Sequence, residues 1–156
     1  MTTRDAAPTI LASAEEVRAK VGVVLGRSEW LLIEQDRIDE FARATGDFQW
    51  IHVDPERAKD GPFKATIAHG WLTASLLPLL LQQIYRVEAR MAINYGVNRI
   101  RFTSPVTVGS RVRAVATLAA AEEKGAALQL TVSTVIEIEG VDKPALVAET
   151  LGRYFL

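Results

Sequence analysis

Asp47 and His52 stand five residues apart in the run Ala44-Thr45-Gly46-Asp47-Phe48-Gln49-Trp50-Ile51-His52-Val53-Asp54-Pro55. His52 is one of 2 histidines in 156 residues, and the other, His69, precedes Gly70 at the start of the most apolar segment. A carboxylate and an imidazole that both reach one water can orient it and move its protons. A glycine that opens a helix adds unpaired amides at the positive end of the helix dipole, where a carbonyl oxygen gaining charge is stabilised. Together these types point to acid/base chemistry on a polarised carbonyl. The same residues have a structural reading, in which Asp47 caps a turn and His52 is a hydrogen-bonded core residue.

The flanking sequence supplies elements to hold these groups. Asp36 reads as the cap of a helix whose inner face is Ile38, Phe41 and Ala42, and Gly46 as its left-handed stop. Asp54-Pro55 restarts a helix, with aspartate as cap and proline in the first turn. Asp47 and His52 therefore fall on a short connection without regular structure, pinned at both ends by helices. Upstream, Ser13-Ala14-Glu15-Glu16 is a capping box that predicts a short helix ending near Lys20 or Val21, with Gly22 beyond it. Residues 1–27 read as an N-terminal helical extension, followed by a strand over Glu29–Ile33. After the break at Gly61-Pro62-Phe63, an apolar helix is expected from His69-Gly70 through Leu81. It is hydrophobic nearly all round, which predicts burial on most sides, and Pro78 should kink it.

Beyond Arg90 the period changes from helix to strand. Leu128, Leu130, Val132, Thr134, Ile136 and Ile138 share one face, while Gln129, Thr131, Ser133, Glu137 and Glu139 share the other. Similar strands are expected over Val97–Phe102, Arg111–Ala119 and Ala145–Phe155, with turns at Glu122–Gly125 and Glu139–Asp142. The pattern is α+β: a long antiparallel sheet wrapped around a central apolar helix, as one domain over residues 1–156.

Composition narrows the function classes. A hydrophobic share of 49% and a charged share of 24% suit a soluble globular chain, and a net charge of −1 with scattered arginines argues against a nucleic-acid partner. The absence of cysteine excludes disulfides, thiolate metal sites and a cysteine nucleophile. No clustered ligands call for a metal. Met1–Pro8 carries no apolar run of the kind that exports a chain, and Trp71–Leu81 falls well short of the ~20 residues a membrane span needs. The expectation is a cytoplasmic protein with no membrane contact.

The run Thr45-Gly46-Asp47-Phe48-Gln49-Trp50-Ile51-His52-Val53-Asp54 is followed by Pro62-Phe63, Ile67-Ala68-His69-Gly70, Leu72 and Ser75-Leu76. This set resembles the signature of MaoC-like dehydratases, the family of R-specific enoyl-CoA hydratases and the nodulation-protein-N-like branch. Asn94-Tyr95-Gly96, Arg101-Phe102, Pro105-Val106 and Gly109 also resemble that family. The resemblance spans roughly residue 28 to the C-terminus and implies a hot-dog fold. It places Asp47 and His52 on the catalytic pair and Gly70 on the glycine whose amide meets the thioester oxygen. It implies R-specific hydration of trans-2-enoyl-CoA to R-3-hydroxyacyl-CoA, with no cofactor beyond the coenzyme A carried by the substrate. It also implies a homodimer with the acyl-CoA site across its interface, bringing Asn98 or Arg99 near a neighbour's Gly70. One departure is Gln49-Trp50, where many members carry asparagine and proline; this bears on substrate preference.

Other positions carry weaker expectations. Ser75 either lines the acyl pocket or bonds a carbonyl one turn back, and His69 reads as structural, orienting the loop at the helix start. Phe48 and Trp50 read as core or pocket wall. Arg99, Arg101, Arg111 and Arg113 read as a solvated strand face, with one or two available for coenzyme A phosphates. The rival functions are a hot-dog acyl-CoA thioesterase and a non-catalytic acyl-thioester-binding subunit.

Overall fold

The computed structural model describes residues 7–156, so Met1–Ala6 of the N-terminal stretch lie outside the described residues. Strand β1 (Thr9–Leu11) is followed by helix α1 (Ala14–Ala19), whose cap is Ser13, its hydroxyl accepting from the Glu16 amide at 3.2 Å. The Glu16 carboxylate takes the Ala12 amide rather than that of Ser13, so the box closes one residue further back. Strand β2 (Val24–Arg27) and the two-residue β3 (Leu31–Leu32) come next. Residues 7–27 are thus not a helical appendage. Leu11 and Val17 are fully buried in the core, and β2 pairs with the main sheet. The strand expected over Glu29–Ile33 shrinks to β3; ahead of it, the Ser28 hydroxyl accepts from the Ala114 amide at 2.9 Å and donates to the Glu29 carbonyl.

Helix α2 (Gln35–Thr45) starts two residues early, with Glu34 rather than Asp36 at the cap position, and ends at Gly46 in the left-handed conformation, φ 81°. Two single-turn helices follow: α3 (Trp50–Val53) and α4 (Pro55–Ala58), the latter capped by the Asp54 carboxylate on the Arg57 amide. The expected long apolar helix is divided into α5 (Gly70–Ser75) and α6 (Leu77–Leu81). Pro78 has no amide to continue the ladder of α5, and it sits instead in the first turn of α6, where none is needed. The pair is buried on one side only. Leu72, Leu76, Leu77 and Leu80 enter the core, whereas Trp71 and Leu79 are 62% and 37% exposed.

The remaining strands are β4 (Tyr85–Val87), β5 (Met91–Phe102), β6 (Arg111–Lys124), β7 (Ala127–Ile138) and β8 (Val141–Phe155). β5, β6 and β8 outrun their expected bounds; for β6 and β8 the turns need only the residues around Gly125 and Gly140, both at positive φ. The main sheet is antiparallel in the order β2-β6-β7-β8-β5, with β3 also on β6; β1 and β4 form a separate parallel pair. Leu118 of β6, Leu130 and Ile136 of β7 and Leu146 of β8 are fully buried and share one core with α5 and α6. A sheet wrapped around a central helical segment is therefore the observed architecture. Among the described residues, no helix is long and apolar enough to cross a membrane.

Strand β5 forms one edge of the sheet. It is exposed along nearly its whole length, including Met91, Ile93, Tyr95 and Val97 at 42–52%.

Candidate active site

Gly46 turns the chain out of α2, and Asp47 emerges exposed beyond it, its carboxylate accepting the Gln49 amide at 3.3 Å. That contact is the turn-capping role foreseen for it. The chain then winds one turn of α3, so His52 lies on a helix rather than in an irregular connection. His52 is buried, and its Nδ1–H donates to the Ile67 carbonyl at 2.7 Å. The neutral ring then carries its lone pair on Nε2, which has no protein partner among the described residues and is free to take a proton. Both structural roles are present, and each orients the group that would do chemistry.

Several contacts keep α3 in place. The Ile67 amide donates to the Ile51 carbonyl at 3.0 Å, so residue 67 clamps α3 in both directions. Gln35, on the first turn of α2, donates to the His52 carbonyl at 2.8 Å and to Asp39 at 2.9 Å, while accepting from the Thr66 hydroxyl. The 66–68 segment is itself fixed to 106–108 by Ala68 N–H to Val106 O and Val108 N–H to Thr66 O, at 2.8 and 2.9 Å. Gln35 and Thr66 carried no signal in the sequence, since their partners lie 17 and 31 residues away.

His69 is placed with the site, beyond the loop-orienting role expected of it. Its ring stacks on that of His52, with centroids 3.8 Å apart and planes at 23°, and its Nε2–H donates to the Asp47 main-chain carbonyl at 3.0 Å. Asp47, His52 and His69 offer polar atoms within 4.8 Å of one another. Metal ligation needs in-plane nitrogen lone pairs that converge on one ion at about 2.0–2.1 Å. Nearly parallel rings set their lone pairs side by side, and Nδ1 of His52 and Nε2 of His69 are already donating to carbonyls. The donor geometry suits proton transfer better than metal binding.

Burial lowers the pKa of His52 below its ordinary value of 6.5; the Ile67 carbonyl opposes this, His69 adds to it, and Asp47 opposes it. The balance keeps the imidazole neutral, and so a base, near pH 7.

Gly70 opens α5, and among the described residues no acceptor takes its amide. A side chain there would meet the ring of Phe102 at 2.9 Å, so the close approach that demands glycine is made by Phe102. Gly70, Ile67, Thr73, Phe102 and Pro105 line a cavity of about 270 Å³. A second cavity of about 300 Å³ runs between Trp71, Ser75 and Pro78 on the helices and Val97, Ile100 and Tyr154 on the strands. Trp71 packs edge-on against Phe102, centroids 5.4 Å apart, between the two.

The other expected residues divide. Ser75 donates to the Trp71 carbonyl at 2.6 Å, one turn back, and also lines the second cavity. Asn98 donates to Glu149 at 2.8 Å, and Asn98 and Arg99 lie exposed on the β5 edge, not drawn into the Asp47–His52 cluster within one chain. Phe48 is 58% exposed rather than core, and Trp50 is half-buried beneath the Arg57 guanidinium. Arg111 and Arg113 pair with Glu139 and Glu137 across the strands, as a solvated face would.

Residues 16–141 match the family described as MaoC like domain. The chain is 53% identical over 144 residues to 3-hydroxyacyl-thioester dehydratase Z of Mycobacterium tuberculosis, covering 91% of this chain and 95% of that protein. It is 46% identical over 140 residues to nodulation protein N of Rhizobium leguminosarum bv. viciae, covering 87% of each. The solved (R)-hydratase from A. caviae superposes with a TM-score of 0.70 at 28% identity, over 84% of this chain and 96% of that one.

Proposed function

The chain belongs to the MaoC-like dehydratase family, with its hot-dog fold, and from that premise we propose that it adds water to trans-2-enoyl-CoA thioesters to give R-3-hydroxyacyl-CoA, and the reverse. The observation that carries this reading is the proximity of Asp47 to a His52 whose Nδ1 proton is committed to Ile67, leaving Nε2 open as a base. A water held between the carboxylate and Nε2 attacks C3 of the conjugated thioester as one group takes its proton. A proton returned to C2 completes the addition, and the pair is then restored. The electron pair displaced from the double bond rests on the thioester oxygen as an enolate. The Gly70 amide is the donor assigned to that oxygen, and removing such a donor typically costs about 2.7–4 kcal/mol. No cofactor enters beyond the coenzyme A of the substrate.

The working unit in this reading is a homodimer. β5 leaves an unpaired ladder and a row of apolar side chains in solvent, an arrangement that soluble chains cover or pair. A second copy against β5 would cover it and bring Asn98 or Arg99 beside the neighbour's substrate. In this reading the chain meets its acyl-CoA substrate in the cytoplasm.

The test is to mix the protein with crotonyl-CoA and follow the conjugated thioester's absorbance together with free thiol. Loss of conjugation without thiol supports hydration, and chiral analysis should then find the R product. Thiol release would replace the reading with a thioesterase, absence of both with a binding subunit, and a predominantly S product would overturn the stereochemical assignment.

A further inference from the structure

We propose that His69 is a positioning residue for this reaction: it fixes the Asp47 main chain by a hydrogen bond and sets the plane of the His52 ring by stacking on it. The inference rests on the reading of Asp47 and His52 as the acid/base pair, and names what holds them in register.

Three observations converge on it. The first is the Asp47 carbonyl. Asp47 follows the left-handed Gly46, and its own carboxylate bonds only within the same turn. Among the described residues, the bond from His69 Nε2–H is the one that ties the Asp47 main chain to a different part of the fold. Without it, a carboxylate on an exposed turn has wide freedom relative to His52.

The second is the ring plane. The Nδ1–H bond to Ile67 fixes one point of the His52 imidazole but leaves the ring free to rock about that contact. His69, at 3.8 Å and 23°, removes that freedom, and it is backed on another side by Phe41 at 4.9 Å. Nε2 of His52 is thereby aimed.

The third is a nitrogen left without a partner. His69 is 2% exposed, and its Nδ1 makes no hydrogen bond. A buried polar atom without a partner is destabilising, and a phenylalanine would fill the same slot without it. What phenylalanine lacks is the Nε2–H on the Asp47 carbonyl. A packing role alone does not call for an imidazole here; a donor directed at Asp47 does.

His69→Phe keeps a ring on His52 and removes the donor, whereas His69→Gln places an amide N–H near the former Nε2 and removes the ring. A displacement of ~1 Å in a reacting group can cost about 10²-fold. His69→Phe should therefore lose about that factor in kcat on crotonyl-CoA with KM unchanged, and His69→Gln should recover part of it. A second readout does not depend on turnover. The amide nitrogen shift of Phe48 follows the hydrogen bond on the preceding Asp47 carbonyl, so it should move in His69→Phe and return toward wild type in His69→Gln. Wild-type kcat in His69→Phe overturns the hydrogen-bond role, and full wild-type kcat in His69→Gln overturns the stacking role. An unmoved Phe48 shift overturns the hydrogen bond itself, whatever the activity. A wild-type chain that hydrates nothing, with the shift moving as expected, overturns the reading of the reaction and not the geometry.

Discussion

The corner around Asp47, His52 and His69 and the edge formed by β5 differ in how far one chain completes them. In the corner, buried polar groups meet partners from distant segments: Ile67 on His52, Gln35 on the His52 carbonyl, His69 on Asp47. At the edge, twelve residues run with one side of their ladder unpaired and apolar side chains in solvent. The corner is tied together within one chain, while the edge leaves apolar surface in solvent. The contrast separates two requirements of the proposed site. In the proposed function, proton transfer would be supplied within one chain, and a neighbour would supply the walls that hold a long thioester.

The largest effect should come from the corner. Asp47→Asn and His52→Gln are each expected to lower kcat by about 10²–10⁴-fold while the protein stays folded, as measured by turnover and circular dichroism. Next is Gly70→Ala. Its new methyl group would stand 2.9 Å from the Phe102 ring, and overpacking of this kind costs about 1–3 kcal/mol. A lower melting temperature accompanied by weaker turnover is expected, and an unchanged melting temperature would contradict the contact. At the edge, Val97→Glu should shift light scattering toward a monomer near 17.1 kDa and reduce turnover, although residue 97 is far in sequence from the acid/base pair. A monodisperse wild-type monomer with full activity would remove the interface from the account.

The smallest effect is a pH dependence of stability. The folded-state pKa of His52 is lowered from 6.5, burial being the main cause, so below that value the unfolded chain binds the proton more readily than the native one. The His52 contribution to stability is therefore intact above pH 6.5 and declines as pH falls from 6.5 toward the lowered folded value. Melting temperatures measured from pH 7.5 down to 5.5 should fall less steeply in His52→Gln than in wild type.

What was legible in the sequence was local. Ser13 capping α1, Gly46 ending α2, Asp54-Pro55 opening α4 and the period of β7 each depend on residues within a few positions of one another. The first half of β5 was missed because both of its faces are exposed, so it has no alternation to read, and its glycine adjoins a bulge between Asn94 and Gly96. β2 escaped for a similar reason, being a short edge strand with Gly26 within it. In the site, the Asp47–His52 spacing and the glycine-opened helix were readable. The roles of Gln35, Thr66 and His69 were not, because the fold brings them to partners 17 to 31 residues away. His69 reads as a structural residue at the start of α5, and its place against His52 emerges only once the fold stacks the two rings.

The central claim is that Asp47 and His52 act as one unit on one water, and a double-mutant cycle on crotonyl-CoA turnover tests it most directly. Groups that act as a unit are grossly non-additive, so the Asp47→Asn/His52→Gln double variant should be little slower than the worse single variant. Losses that multiply, or a folded single variant that keeps near-wild-type kcat, would contradict it.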